Sequence, residues 1–291
     1  MASKKSSKNK HYPVVRQFPL SEGTHGGLAT RIIDTGRTLS QVNRRLYRQG
    51  RYYEVKIDLE ADSNTAFEVF AIRDDWAVQK GFQLAYNAYM ENSKEERAHM
   101  AKTQIARWED FRVEHGVPSS VVVGPQLQEA GLPVDLLSQG EFELTQVVIG
   151  AGTEKTFSWA SVGTGSVYSI LEEYDKAGNA QQSPTSVVSG VAVPYDDLST
   201  DVDAAMAENL EGKGNSAPYT AAGVNANGPF VKIATLVSNS PNAQKLSTGY
   251  FCAPCGLIMI RQAAAADIRG QYSLTVKSGD YKGVHAPSML E

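Results

Sequence analysis

Strict alternation of apolar and polar residues begins at Tyr52. In YYEVKIDLEA, Tyr53, Val55, Ile57 and Leu59 alternate with Glu54, Lys56, Asp58 and Glu60, the pattern of a strand with one buried face. Asp62-Ser63-Asn64 reads as a turn. NTAFEVFAIR then alternates again, so the two runs are expected to pair as a hairpin. From Trp76 the period lengthens. Trp76, Phe82, Ala85, Tyr86, Tyr89 and Met90 recur at helical spacing and predict an amphipathic helix. Ser93 with Glu96 three residues on fits a capping box. It predicts a second helix to about Val113, with Met100, Ile105, Trp108 and Phe111 as its buried stripe and Gly116 and Pro118 past its end.

Beyond residue 141 the period returns to that of strands. Expected strands cover 142–149, 154–160, 166–173, 185–193, 229–237, 248–261 and 271–277, each bounded by Gly, Pro, Asn, Asp or Ser. One short helix is expected at 201–211. A parallel sheet would need helices between most strands, and these are missing from the pattern. The chain is therefore expected to be mainly β, an antiparallel β-sandwich or jelly roll with a helical insertion after the second strand.

Charge changes this picture at the N-terminal side. Residues 1–51 carry eleven Lys and Arg against two acids, Glu22 and Asp34, although the whole chain is at −4. Residues 1–10 hold Lys4, Lys5, Lys8 and Lys10, no acid, and no large apolar residue except Met1. Such a segment buries too little to offset its chain entropy, so a disordered arm with a polyanionic partner is expected. Its continuation, VNRRLYRQGRYY, interleaves Arg44, Arg45, Arg48 and Arg51 with three tyrosines. Arginine matches phosphate through a planar fork, and tyrosine offers a face on which a base can stack. The alternative for Tyr52 and Tyr53 is that they open a strand. We divide the chain into a basic, largely disordered arm at 1–40 and a folded domain at 41–291, with the helical insertion at about 75–114.

Candidate chemistry adds little. Cys252-Ala-Pro-Cys255 lacks a second CxxC or an HxxxH to complete a zinc site, and it lies in an apolar strand-like run, so two reduced packing thiols are expected. Two cysteines cannot build a disulfide scaffold. Asp196, Asp197, Asp201 and Asp203 form a weak Ca²⁺ candidate, read otherwise as a turn and an acidic helix start. The glycine-rich pairs at 150–152 and 163–165 do not open helices, and no P-loop, GxSxG, HExxH or EF-hand pattern occurs. No cofactor is implied and no enzyme is expected. No run is long and apolar enough for a membrane span, and the N-terminal residues lack the apolar stretch of a secretory signal.

The basic arm, NRRLYRQGRYYEVKIDL, AFEVFAIRDDWAVQKGFQLAYNAYM and the β-rich remainder together resemble the capsid proteins of small circular single-stranded DNA viruses that replicate by rolling circle, and their environmental relatives. The resemblance implies a single jelly roll of eight strands in two facing sheets. It also implies assembly of many copies into an icosahedral shell, in the virion and, during assembly, in the host nucleus or cytoplasm. Lys4, Lys5, Lys8, Lys10 and Arg16 match the family's genome-binding arm, and Arg44, Arg45, Arg48 and Arg51 its continuation into the first strand. The implied partner is packaged single-stranded DNA. An arm this modest leaves an RNA genome open, and the alternatives are a nucleic-acid-coating protein without a shell, or a jelly-roll carbohydrate-binding module or enzyme. Nothing in the sequence points to a particular host receptor.

Overall fold

A computed structural model describes residues 12–20, 23–25, 30–61, 65–100, 108–118, 120–129, 132–135, 143–149, 152–160, 167–179, 228–239, 244–262 and 268–290. The first elements are β1 (Gln17–Pro19), β2 (Gly23–His25), β3 (Thr30–Asp34), α1 (Thr35–Asn43), β4 (Tyr52–Ala61) and β5 (Thr65–Ile72). Next come α2 (Trp76–Asn92), α3 (Lys94–His99), β6 (Ser120–Val123), β7 (Gln126–Glu129), β8 (Leu132–Asp135), β9 (Gln146–Ile149), β10 (Thr153–Ser158), β11 (Val167–Ser169) and α4 (Ile170–Asn179). The remainder is β12 (Phe230–Ser238), β13 (Gln244–Ser247), β14 (Phe251–Pro254), β15 (Leu257–Gln262), β16 (Ile268–Val276), β17 (Ser278–Gly279) and β18 (Gly283–Val284). The chain is mainly β, as the alternation implies.

Two sheets hold the main core between them. The first runs β1-β16-β4-β13, with β2 also on β16 and β14 also on β4, all antiparallel. The second runs β12-β5-β15-β3-β6 and is antiparallel except for β3 with β6. Tyr53, Val55, Ile57 and Leu59 of β4 meet Phe67 and Val69 of β5 in one buried cluster. The alternation therefore reports a shared core, but the expected hairpin does not form. β4 pairs only within the first sheet and β5 only within the second. Two successive strands can bury alternate residues in one core by facing each other across it as well as by lying side by side.

The middle of the second sheet is buried on both faces, while much of its edge strands β6 and β12 is exposed. Ile33, Ile258 and Ile260 point into the main core, while Ile32, Leu257 and Met259 point the other way. There they meet a second core from the long segment between β5 and β12. Phe82, Phe111, Phe157 and Trp159 form its centre, with Phe111 5.2 Å from Phe157 and 5.4 Å from Phe82 between ring centroids. α2 opens on Asp75, whose side chain accepts from the Val78 N–H. Its buried side is Ala77, Val78, Gly81, Phe82 and Ala85, while Trp76 is 66% exposed. Gly81 lets α4 approach: a Cβ there would lie 3.0 Å from Ile170 Cγ2.

Several local expectations are corrected. The folded part does not start at residue 41. Phe18, Leu20, Ile32, Ile33 and Leu39 are core residues; the first four lie in or beside strands of three to five residues, too short to show a period, and Leu39 lies in α1. The capping box at Ser93 is not made. The Ser93 hydroxyl turns back to the Tyr89 carbonyl, 2.8 Å away, and α3 ends at His99. Met100 is exposed, and Phe111 enters the core from non-helical chain, while Ile105 lies outside the described residues. The run expected as a strand to residue 173 becomes helical at Ile170. The run at 248–261 splits at Cys255-Gly256 into β14 in the first sheet and β15 in the second. The expected strand at 185–193 and helix at 201–211 lie outside the described residues.

Candidate nucleic-acid interface

The arginine-rich run is the connector from α1 to β4. α1 is capped at its start by Asp34, which accepts from the Arg37 N–H, and ends on Arg44 in the left-handed region at φ 50°. The Arg44 N–H returns to the Ser40 carbonyl, and the Tyr47 N–H donates to the Ser40 hydroxyl at 2.8 Å. The connector is thus folded tightly over the helix end. From there its residues alternate: Tyr47 and Gln49 are buried, while Arg44, Arg45 and Arg48 are exposed. None of these three arginine side chains makes a hydrogen bond or ion pair with another described residue. Their charge faces water.

The C-terminal segment packs against this connector and adds to its charge. Lys282 Nζ donates to the Leu46 carbonyl and lies 5.1 Å from the Tyr281 ring. Arg16 reaches the Gly283 carbonyl at 3.3 Å. Arg51 stacks 3.5 Å from the Tyr281 ring centroid and donates to the Ala286 carbonyl at 2.7 Å. Burial raises the Tyr47 hydroxyl pKa, and the positive fields of Arg45 and Arg16 oppose that rise. Arg16, Arg44, Arg45, Arg48 and Lys282 therefore border one surface, and Arg51 is partly consumed in holding it together. The N-terminal residues join at the same place. Asn43 exchanges two hydrogen bonds with the Val15 backbone, and a Cβ on Gly283 (φ +92°) would lie 3.1 Å from Tyr12 Cβ.

Tyr47 and Tyr53 are core residues and cannot stack on a base, so the strand alternative holds for Tyr53. Lys282 and Tyr281 were not visible as partners because more than 230 residues separate them from the connector. Arg31, counted with the arm by charge, is buried in β3, and burial draws its pKa below the usual value. Lys4, Lys5, Lys8 and Lys10 lie outside the described residues, as do Asp196, Asp197, Asp201 and Asp203.

A buried ionic group anchors the connector from below. Gln49 donates its backbone N–H to Asp110 at 2.8 Å, and its side chain exchanges hydrogen bonds with the Val113 backbone at 2.6 and 3.0 Å. Arg112 lies between Asp34, with which it forms a close ion pair, and Asp110 at 3.6 Å. Burial pushes the Asp110 carboxyl up to about 6, against the pull of Arg112.

The cysteines are both free. Burial pushes Cys252 up to about 12, with Asp74 beside it, and Cys255 well above its ordinary value. Among the described residues no group of His, Cys, Asp and Glu could hold a metal ion, and no helix is long and apolar enough to cross a membrane. No family model matches the chain, and no match was found among curated proteins or solved structures.

Proposed function

We propose that this chain is a structural capsid protein, a jelly-roll subunit that assembles into an icosahedral shell around single-stranded nucleic acid, DNA in preference to RNA. The observation that carries the reading is the nesting of the strand pairs. Taking β1 with β2 as one position and β13 with β14 as another, eight strand positions follow along the chain. The first pairs with the eighth and the third with the sixth in one sheet; the second pairs with the seventh and the fourth with the fifth in the other. Rolling one long hairpin around a core produces this order, and jelly rolls of this kind recur in viral coats. The long segment between β5 and β12 is then an insertion at the hairpin's tip.

The cationic surface supports the genome-facing half of the reading. It gathers Arg44, Arg45, Arg48, Arg16 and Lys282 at the place where the lysine-bearing residues join the fold. Phosphates neutralised there release counterions, so binding falls as salt rises. The test is electron microscopy of purified protein at low and high salt, with salt-titrated binding of dT oligonucleotides. Closed particles support the proposal, and filaments or beads favour a coating protein without a shell. Monomers that bind no nucleic acid at low salt overturn it. Arg44, Arg45 and Arg48 changed together to Gln should lower the slope of log K against log salt by about 2, with an unchanged fold. An unchanged slope would remove these residues from the interface.

A further inference from the structure

A hollow of about 250 Å³ lies on the outer face of the first sheet, along the β4–β14 pair. Tyr52, Glu54, Tyr250, Cys252, His285 and Pro287 border it. Alternation explains its walls. Tyr53 and Ala253 are paired across the strands and point into the main core, so Glu54 and Cys252, also paired, point outward. Tyr52 leans against the second core, and Phe251 against the main one, so the hollow is held from both sides. Tyr250 stands over it half exposed, at 51%, with no hydrogen bond or ring partner among the described residues. The hollow is smaller than the roughly 300–1,000 Å³ of sites for drug-sized ligands, a scale that suits a single heterocycle.

Its position relative to the cationic surface decides its occupant. His285 and Pro287 belong to the same segment that carries Tyr281 and Lys282 against the connector. Lys282 and His285 are three residues apart, joined through the tight turn in which Tyr281 and Val284 exchange backbone hydrogen bonds. Arg51, whose guanidinium holds the Ala286 carbonyl, lies next to Tyr52 in sequence. At the floor, Glu54 is bound by Lys277 at 2.6 Å with His285 3.7 Å away, which offsets its negative charge, while Asp74 beside Cys252 leaves one carboxylate near the rim. The larger hollow of about 370 Å³ on the same sheet has no bordering residue from that C-terminal segment.

We infer that one unpaired base of a bound single strand enters the hollow and stacks on Tyr250, while its flanking phosphates rest on the Arg44–Arg45–Arg48–Lys282 surface. This rests on the nucleic-acid reading above and extends it from phosphate contact to base contact. DNA and RNA share the chemistry, so both are probed. The experiment compares the wild-type protein with Tyr250→Ala and Tyr250→Phe for binding of dT15, rU15 and an abasic 15-mer at low salt. A 2-aminopurine strand provides a stacking signal independent of the variants. Tyr250→Ala should weaken dT15 or rU15 roughly 5- to 100-fold and leave the abasic strand unchanged, Tyr250→Phe should hold near wild type, and 2-aminopurine fluorescence should fall on binding. An unchanged dT15 and rU15 affinity in Tyr250→Ala, an equal loss on the abasic strand, or unquenched 2-aminopurine overturns the inference while leaving the cationic surface intact. Wild-type protein that binds none of the three strands overturns the nucleic-acid reading itself.

Discussion

Replacing Asp110 by Asn should stabilise the folded chain at neutral pH and leave it unchanged in acid. Within the buried trio, two carboxylates, Asp34 and Asp110, face the single guanidinium of Arg112, which holds Asp34 closely and Asp110 at 3.6 Å. Arg48 adds a weaker positive field, and Asp34 opposes it. Burial is the larger effect and raises Asp110 from 3.8 to about 6. A raised carboxyl binds its proton more tightly folded than unfolded, so the fold is favoured when Asp110 is protonated. The cost of ionising it is absent below pH ~4, grows as pH rises, and is complete above pH ~6. A gap of about two pH units corresponds to roughly 3 kcal/mol. Asn cannot ionise, and its amide oxygen can still accept from the Gln49 N–H. The variant should therefore gain about 2–3 kcal/mol at pH 7.5, or roughly 5–10 °C in Tm, and nothing at pH 3.5. Thermal and urea unfolding of the purified protein at both pH values would measure this. Loss of stability at pH 7.5 would refute the reasoning, because it would mean that Arg112 holds Asp110 as a stabilising ion pair.

Two further outcomes test the folded core. Gly256→Ala should cost roughly 2–4 kcal/mol in urea unfolding, since Gly256 sits at φ +66° and a Cβ would lie 2.9 Å from the Tyr53 ring and 3.0 Å from Thr35 Cβ. A cost under about 0.5 kcal/mol would show that the sheet-crossing turn is not confined there. In thiol titration at pH 8, Cys252 and Cys255 should react as two free thiols on unfolding. Folded, Cys252 should react more slowly than an unperturbed thiol, and a fast native thiol would contradict its buried setting.

The candidate site was legible in part. Arg44, Arg45 and Arg48 could be named because charge is a local property, and they do face water. Arg51 was named by the same count but is held between Tyr281 and Ala286, and Arg31 by charge alone belonged to an arm that the fold has absorbed. Tyr250 and His285 gave no signal, because a tyrosine inside the expected strand at 248–261 and a lone histidine look like ordinary residues. Only the β4–β14 register and the return of residues 281–287 bring them together.

By itself the sequence determined that β4, β5, β12 and β16 are strands and that α2 is a helix. Periodicity records which residues of a segment share a buried face, and neighbouring residues settle that. It also determined the basic N-terminal side and the lack of a second half for the cysteine pair. Tertiary structure decided which strand pairs with which, because the same alternation serves a strand beside its neighbour and one facing it across the core. It decided where folding begins, because β1 and β3 owe their place to β16 and β15, which lie more than 200 residues away. It alone turned a line of arginines into a surface, by setting Arg16 and Lys282 beside them.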